Sequence, residues 1–453
     1  MGLSRKIADF IVRLDEQSLP AEVKEKARAC LLNGYGIALG GHATPYAPVA
    51  RRAAIAMDGE LPGGATLLGD GRKTSVAGAA LANAALFHGR AQEDTCGAGH
   101  FGAVMLPLLT AMIEARQYPI DRLIPALVAG YEAGGLLENA YSPRTTPAGL
   151  RASPLYGAIA AAAAASRLMG LDAEQAAAAM ANAAAFAGGT LESFDEGTDE
   201  WRYQVGVAGR IGYVSAHLAQ AGSVSAPRAF EGRAGFVAAY ARTSCDVDAL
   251  AARLGTDWSI HRVTFKPFPV CAFNQTPVTA ALKLRETIAG AGIARIRVRM
   301  NPFETGYAGM DLKGPFTTLS GTLMSIPFCI ANTLHNGVPT LRNMTVYDNP
   351  AVDALIDRID LVPDEAVNRL CCVIEVELDD GRKLVQEQLM TPADYSYDWP
   401  TVSALVRRIG QETGVASEVY DRLESFARNP AGHRVEDLLA CFAALPRPEA
   451  VAR

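Results

Sequence analysis

No CxxC pair, no HExxH and no GxxxxGK[ST] occurs in the 453 residues. Zinc centres need clustered Cys and His, and phosphate-binding P-loops need their glycine cradle and lysine, so neither chemistry is expected. Aromatic residues are sparse at 7%, and no window offers the ~18 uncharged apolar residues of a membrane span once its Arg and Asp interruptions are counted. Neither sign of charge dominates, since 42 Lys and Arg face 48 Asp and Glu for a net charge of -6. The basic residues are scattered rather than gathered into a stripe, which argues against a nucleic-acid partner. The N-terminal stretch carries Asp9, Asp15 and Glu16 and lacks the continuous apolar run of a secretory signal. Eight dispersed cysteines in such a chain read as reduced thiols, and the expected compartment is the cytoplasm.

What is present fits a globular protein of about two domains: hydrophobic residues at 49%, charged residues at 20%, and length beyond one ordinary core. Residues 3–58 read as two helices split at Ser18-Leu19-Pro20, with Ser18 able to cap. The stretches 75–90 and 102–117 are apolar nearly all round, as core helices are. Alanine dominates 156–168 and 172–187, with Gly170-Leu171-Asp172 ending one helix and capping the next. Near residue 265 the character changes. Ile296, Val298 and Met300 alternate with Arg295, Arg297 and Arg299, the period of a half-buried strand, and 372–385 reads as a hairpin turning at Asp380-Gly381. Helical signals at 318–336 and 349–357 lie between. Helices return at 400–412, 415–428 and 433–444. The expected fold is mainly α with an inserted α+β domain: residues 1–265 plus 396–453 form a helical domain, and 266–395 form an α+β lid.

Polar segments set in this apolar background are where chemistry is sought. The first runs from His88 to His100, a glycine-punctuated loop between two apolar helices. His88 can satisfy helix-terminal carbonyls or serve a site, and His100 can take a proton near neutrality. Asp94 and Thr95 can orient it. The GxGxxG from Gly97 to Gly102 follows a helix and a polar loop rather than a strand, which removes its dinucleotide reading. Arg151 and Ser153 precede an alanine helix, a natural carboxylate position. Arg202 and Tyr203 sit beside Trp201. Lys266 to Gln275, including Cys271 and Asn274, marks the domain junction.

In this order and spacing, the loop with Asp94, Thr95 and His100, then Gly149-Leu150-Arg151-Ala152-Ser153, Gly197 to Gly206, Lys266-Pro-Phe-Pro-Val-Cys271 and Ser325-Ile-Pro-Phe resemble the MmgE/PrpD family. That family includes 2-methylcitrate dehydratase, cis-aconitate decarboxylase and iminodisuccinate epimerase. The resemblance spans nearly the whole chain and implies a helical domain built from both chain ends, a smaller inserted domain and a homodimer. Where the dehydratase and decarboxylase pattern has His, Lys and His, this chain has Arg151, Trp201 and Gln275. Ala91 and Glu93 also differ from its acidic loop. Losing two imidazoles and an ammonium removes proton donors, while Arg151 adds a fixed carboxylate clamp.

The resemblance therefore favours an iminodisuccinate epimerase-like enzyme, cofactor-independent and metal-free, that moves a proton α to a carboxylate of a small polycarboxylate. His100 is the first acid or base and Lys266 the second, with Cys96 and Tyr307 as lesser candidates. Asp94 and Thr95 organise His100. Arg151, Ser153, Arg202, Tyr203, Asn274, Gln275 and His88 are the expected substrate contacts. The alternatives are a 2-methylcitrate dehydratase-like or cis-aconitate decarboxylase-like lyase, and a non-catalytic homologue that binds a carboxylate.

Overall fold

The computed structural model describes residues 1–446; residues 447–453, expected to close the helical domain, lie outside the described residues. Two compact units are present. One comprises Met1–Thr190, Arg202–Phe265 and the chain from Tyr397, and the other Leu191–Trp201 and Lys266–Ser396. The segment 191–201, expected with the helices, thus belongs to the second unit. Its polar groups account for this: Asp195 Oδ1 accepts from Gly309 N at 2.7 Å, the carbonyl of Gly197 accepts from Thr318 Oγ1 at 2.5 Å, and Trp201 Nε1 donates to Ser320 Oγ at 3.1 Å.

The first unit opens with α1 (Leu3–Ile11), α2 (Ala21–Gly40), α3 (Tyr46–Asp58), α4 (Val76–Phe87), α5 (Phe101–Arg116), α6 (Leu123–Thr145), α7 (Ala152–Met169) and α8 (Ala173–Phe186). After α9 (Glu192–Asp195), which lies in the second unit, come α10 (Glu200–Gln220), of which the first unit takes the part from Arg202, and α11 (Val247–Ala251). Two small antiparallel pairs join β1 (Ala65–Thr66) to β2 (Lys73–Thr74) and β3 (Thr95–Cys96) to β4 (Val263–Thr264). The alanine runs let backbones approach: a Cβ at Gly134 of α6 would stand 2.7 Å from that of Ala160 of α7. Gly170, at φ +74°, ends α7, and Asp172 with Gln175 forms the capping box of α8.

Residues 3–58 give three helices rather than two, because the chain turns through a 3-10 segment at Gly41–Ala43 ahead of Pro45. Ser18 does not cap α2. Its hydroxyl accepts from Asp15 N at 2.9 Å within the preceding turn, and Pro20 takes the N-cap position.

In the second unit, α12 (Gln275–Ile288) packs on a four-stranded sheet of order β6-β5-β7-β8, made of β5 (Ile293–Met300), β6 (Ile359–Pro363), β7 (Cys372–Leu378) and β8 (Lys383–Gln388). Strand β5 runs parallel to β6 and antiparallel to β7, with Ile296 opposite Val376 and Val298 opposite Ile374. The alternation read from sequence holds. Ile296, Val298 and Met300 are buried, while on the other face Arg295 pairs with Asp360, and Arg299 with Asp364 and Glu375. The hairpin turns at Asp380-Gly381, where Gly381 has φ +86°. Between β5 and β6 lie α13 (Pro302–Thr305), α14 (Leu319–Met324), α15 (Ile326–Asn336), α16 (Leu341–Met344) and α17 (Pro350–Asp357). The continuous helical signal over 318–336 divides because Ser325 is extended at ψ 118° and caps α15 through Phe328 N.

The chain then returns to the first unit as α18 (Trp399–Thr413), α19 (Ser417–Arg428) and α20 (Val435–Ala443), with α18 and α19 packed on α2. Among the described residues, no helix is long and apolar enough to cross a membrane.

Candidate functional site

The loop between α4 and α5 is held inside the first unit rather than on its surface. His88 is the C-cap of α4, His100 the N-cap of α5, and His88, Arg90, Gln92, Glu93, Asp94 and Thr95 are all buried. Burying so polar a loop requires partners for its groups. Arg90 is tied to Gln92 and, at 2.6 Å, to Glu412. Glu138 of α6 accepts from Ala98 N at 2.9 Å and leaves no room for a Cβ at Gly97, which also has φ +62°. Ala91 sits at φ +55°, strained for a residue with a Cβ, so the surrounding packing over-determines this backbone.

At the centre is a carboxylate shared by two imidazoles. Glu93 Oε2 lies 3.1 Å from His88 Nδ1, and Glu93 Oε1 lies 3.1 Å from His100 Nδ1. The ring centroids are 5.2 Å apart. Arg151 Nη2 approaches His88 Nε2 to 2.6 Å, and a guanidinium can only donate. His88 therefore accepts at Nε2 and carries its proton on Nδ1, on the side of Glu93, which places the ring between the guanidinium and the carboxylate. His100 is different. Its Nδ1 faces two acceptors, the Glu93 carboxylate and the Asp94 carbonyl at 3.1 Å, so the proton belongs there and Nε2 is the exchanging nitrogen. With its side chain 16% exposed, against 0% for His88 and 1% for Glu93, His100 is the member of the triad that meets solvent.

The shell around this triad fixes it. Tyr131 of α6 donates to Asp94 Oδ2, and burial together with that carboxylate pushes the phenol well above its usual range, so it stays a donor. Burial lowers Lys26, while the thiol of Cys30 and the carboxylate of Asp94 act the other way. Arg151 also donates through Nη1 to Gln204 Oε1 at 3.1 Å.

The other residues singled out from sequence have definite places. Ser153 accepts from His100 N at 3.1 Å, and the hydroxyl of Thr95 meets that of Thr264 at 2.7 Å across the β3–β4 pair, so both hold the loop. Arg202 donates to the carbonyls of His88 and Gly89 at 3.1 and 2.7 Å and stacks over Tyr46 at 3.8 Å, which makes it the clamp on the end of α4. Tyr203 is half-buried on α10. Burial drives the Cys96 thiol well up, away from acid–base work, and its Sγ points to the carbonyl of Ser259 at 3.5 Å.

Lys266, Asn274, Gln275 and Tyr307 lie in the second unit. Gln275 accepts from Phe268 N at 3.1 Å and donates to the carbonyls of Phe268 and Val270 at 3.0 Å each, stapling the loop that begins at Lys266. Asn274 donates to the carbonyls of Leu323 and Met324. Tyr307 packs against Phe194 and Phe273. Lys266 is buried.

Sequence reasoning did not foresee the bridging role of Glu93, nor Tyr131, Glu138 and Gln204 as supports. For Glu93 the signal was its place in a polar loop with a histidine at each end, and for Gln204 its place in the polar segment from Gly197 to Gly206; Tyr131 and Glu138 lie in the apolar α6, where nothing in the pattern marks them. Among the described residues, no group of three or more His, Cys, Asp or Glu is placed to hold a metal ion. Chemically the cluster is a Glu-supported imidazole that can give or take a proton, with a guanidinium close by to hold negative charge.

Comparison with known proteins gives a consistent family pattern. The model of the MmgE/PrpD N-terminal domain matches residues 5–246, and that of the C-terminal domain residues 268–400. A cis-aconitate decarboxylase-like protein, oryM, of Aspergillus oryzae is 26% identical over 451 residues, covering 93% of this chain and 92% of its own. Cis-aconitate decarboxylase of Aspergillus terreus is 25% identical over 371 residues, 77% of this chain and 75% of its own. The human cis-aconitate decarboxylase is also 25% identical over 371 residues, covering 73% and 75%.

Proposed function

The chain belongs to the MmgE/PrpD family, and from that premise we propose that it is a cytoplasmic, cofactor-independent epimerase that transfers a proton α to a carboxylate of a small polycarboxylate. The observation that carries this reading is the Glu93 carboxylate placed 3.1 Å from Nδ1 of His100. It orients the ring and stabilises the imidazolium formed when Nε2 takes a proton from carbon, the role a carboxylate plays behind a catalytic histidine. Arg151 supplies a permanent positive charge for the enolate-like oxygen or a substrate carboxylate. Lys266 is the proposed second acid–base group. His88 and Asp94 serve by positioning.

Epimerisation is favoured over elimination by the three altered positions. Arg151 cannot act as an acid near neutrality, Gln275 is occupied with its own loop, and the indole N–H of Trp201 is given to Ser320, so none of them delivers a proton to a leaving hydroxyl. Decarboxylation is the second reading, favoured by the names of the relatives, since a carbanion left by carbon dioxide needs one proton and His100 can supply it. The test is a panel of polycarboxylates incubated in D2O and followed by proton NMR, chiral chromatography and carbon dioxide release. Deuterium at the α-carbon with inversion supports epimerisation. Stoichiometric carbon dioxide transfers the assignment to decarboxylation, and a new ultraviolet-absorbing C=C bond without it to dehydration. A ligand that binds without exchange would mark a non-catalytic homologue.

The proposed working form is a homodimer. Its support is a stripe on α10 where Val207, Val214 and Leu218 are each at least 40% exposed, at the seven- and four-residue spacing of a helix seam.

A further inference from the structure

In the second unit, the ends of three helices and the start of a strand border an open cavity of about 600 Å³. Its floor is apolar, formed by Ile288 at the end of α12, Ile293 at the start of β5 and Leu355 of α17. Its rim is basic: the guanidinium groups of Arg285 in the last turn of α12 and Arg358 capping α17, with the imidazole of His335 in the last turn of α15 beside them. Among the described residues, no Asp or Glu lines it. The ion pairs of this unit join Arg295 to Asp360, Arg299 to Asp364 and Glu375, Arg382 to Asp380 and Lys383 to Glu377, and among the described residues none of them takes up Arg285, His335 or Arg358.

Basic residues near helix C-termini are ordinary, because they offset the partial negative charge of the last carbonyls; the Arg358 side chain also donates to the carbonyl of Ile293 at the start of β5. That role accounts for one basic residue at each of the three helix ends. It does not account for the hollow of ligand size that they border, with an apolar floor and, among the described residues, no Asp or Glu in its lining.

We infer that this cavity is a binding site for an amphipathic anion, a molecule with an apolar body and one carboxylate or comparable acidic head. The body covers Ile288, Ile293 and Leu355, and the head lies on the side of Arg285, where the guanidinium can meet it in two parallel hydrogen bonds. The binding site lies wholly within the second unit and is separate from the Glu93 cluster.

Decanoate, below its micelle concentration, is the probe, titrated calorimetrically into the full chain. One saturable site is expected, with 1-decanol binding at least tenfold more weakly because it lacks the charge. Arg285→Glu should weaken decanoate at least tenfold while leaving the melting temperature near that of the parent, as Arg285 is exposed. Ala354→Trp, at an exposed position on the cavity wall, should block the site by filling it. The inference is overturned if decanoate shows no saturable binding, if decanol binds as well, or if both substitutions leave its affinity unchanged.

Discussion

Replacing Glu93 by Gln keeps the volume of the side chain and removes one negative charge from between two imidazoles. In the parent, that charge lies 3.1 Å from Nδ1 of each ring. When His100 takes a proton from carbon, the imidazolium charge is centred ~4 Å from the carboxylate. Two unit charges at that distance attract by about 4 kcal/mol at an effective dielectric of ~20. At about 1.4 kcal/mol per decade, losing the whole term lowers the proton-transfer rate by roughly 10³-fold. The amide also has a donor end, which must turn toward Nδ1–H of one of the rings, so misorientation adds to the loss and the expected range is ~10²–10⁴-fold. Because His88 is held in its tautomer by Arg151, the ring that can turn to escape this clash is His100, the one that does the chemistry. The assay is the rate of deuterium incorporation at the α-carbon at saturating substrate, with the melting temperature as the control for folding. Turnover within threefold of the parent in a folded Glu93→Gln protein would refute the shared-carboxylate mechanism and leave His100 without its assigned support.

Arg151→Met should raise KM at least tenfold with a smaller fall in kcat, read from initial rates, since a clamp acts in ground and transition states alike; an unchanged KM would remove Arg151 from the substrate. Gly102→Ala places a Cβ against the Asp94 carboxylate, which Tyr131 holds in place, so it should destabilise by ~1–2 kcal/mol despite the better helix propensity of alanine, and urea unfolding that shows a gain would contradict that packing. Burial raises the Glu304 carboxyl from 4.5 to about 7. A carboxyl with a raised pKa binds its proton more tightly folded than unfolded, so stability is lost as pH climbs from about 4.5 to about 7. Glu304→Gln should therefore lose less stability than the parent between pH 5 and pH 8, by on the order of 2 kcal/mol, and equal slopes in urea unfolding would contradict it. Leu218→Glu, on the exposed α10 stripe, should convert a two-chain particle to single chains in light scattering, and a dimer that survives it would move the interface elsewhere.

The sequence by itself determined the local elements. Alternation of Ile296, Val298 and Met300 with arginines set the face of β5, Asp380-Gly381 set its hairpin neighbour, and Gly170 with Asp172 set a helix boundary, because each depends on the chain within a few residues. It also showed that His88 to His100 was the segment to watch, since a polar loop between apolar helices stands out against composition alone. Only the tertiary structure decided what that loop does. Arg151 is 63 positions from His88 in the chain and fixes its tautomer. Tyr131 and Glu138 reach the loop from an apolar helix, and Arg202 proves to hold backbone carbonyls beside His88. The assignment of 191–201 to the second unit likewise follows from hydrogen bonds to residues more than a hundred positions away. Local pattern reports which face of an element is apolar, but which donor meets which acceptor depends on how distant helices pack, and in this loop those meetings determine which imidazole can exchange a proton.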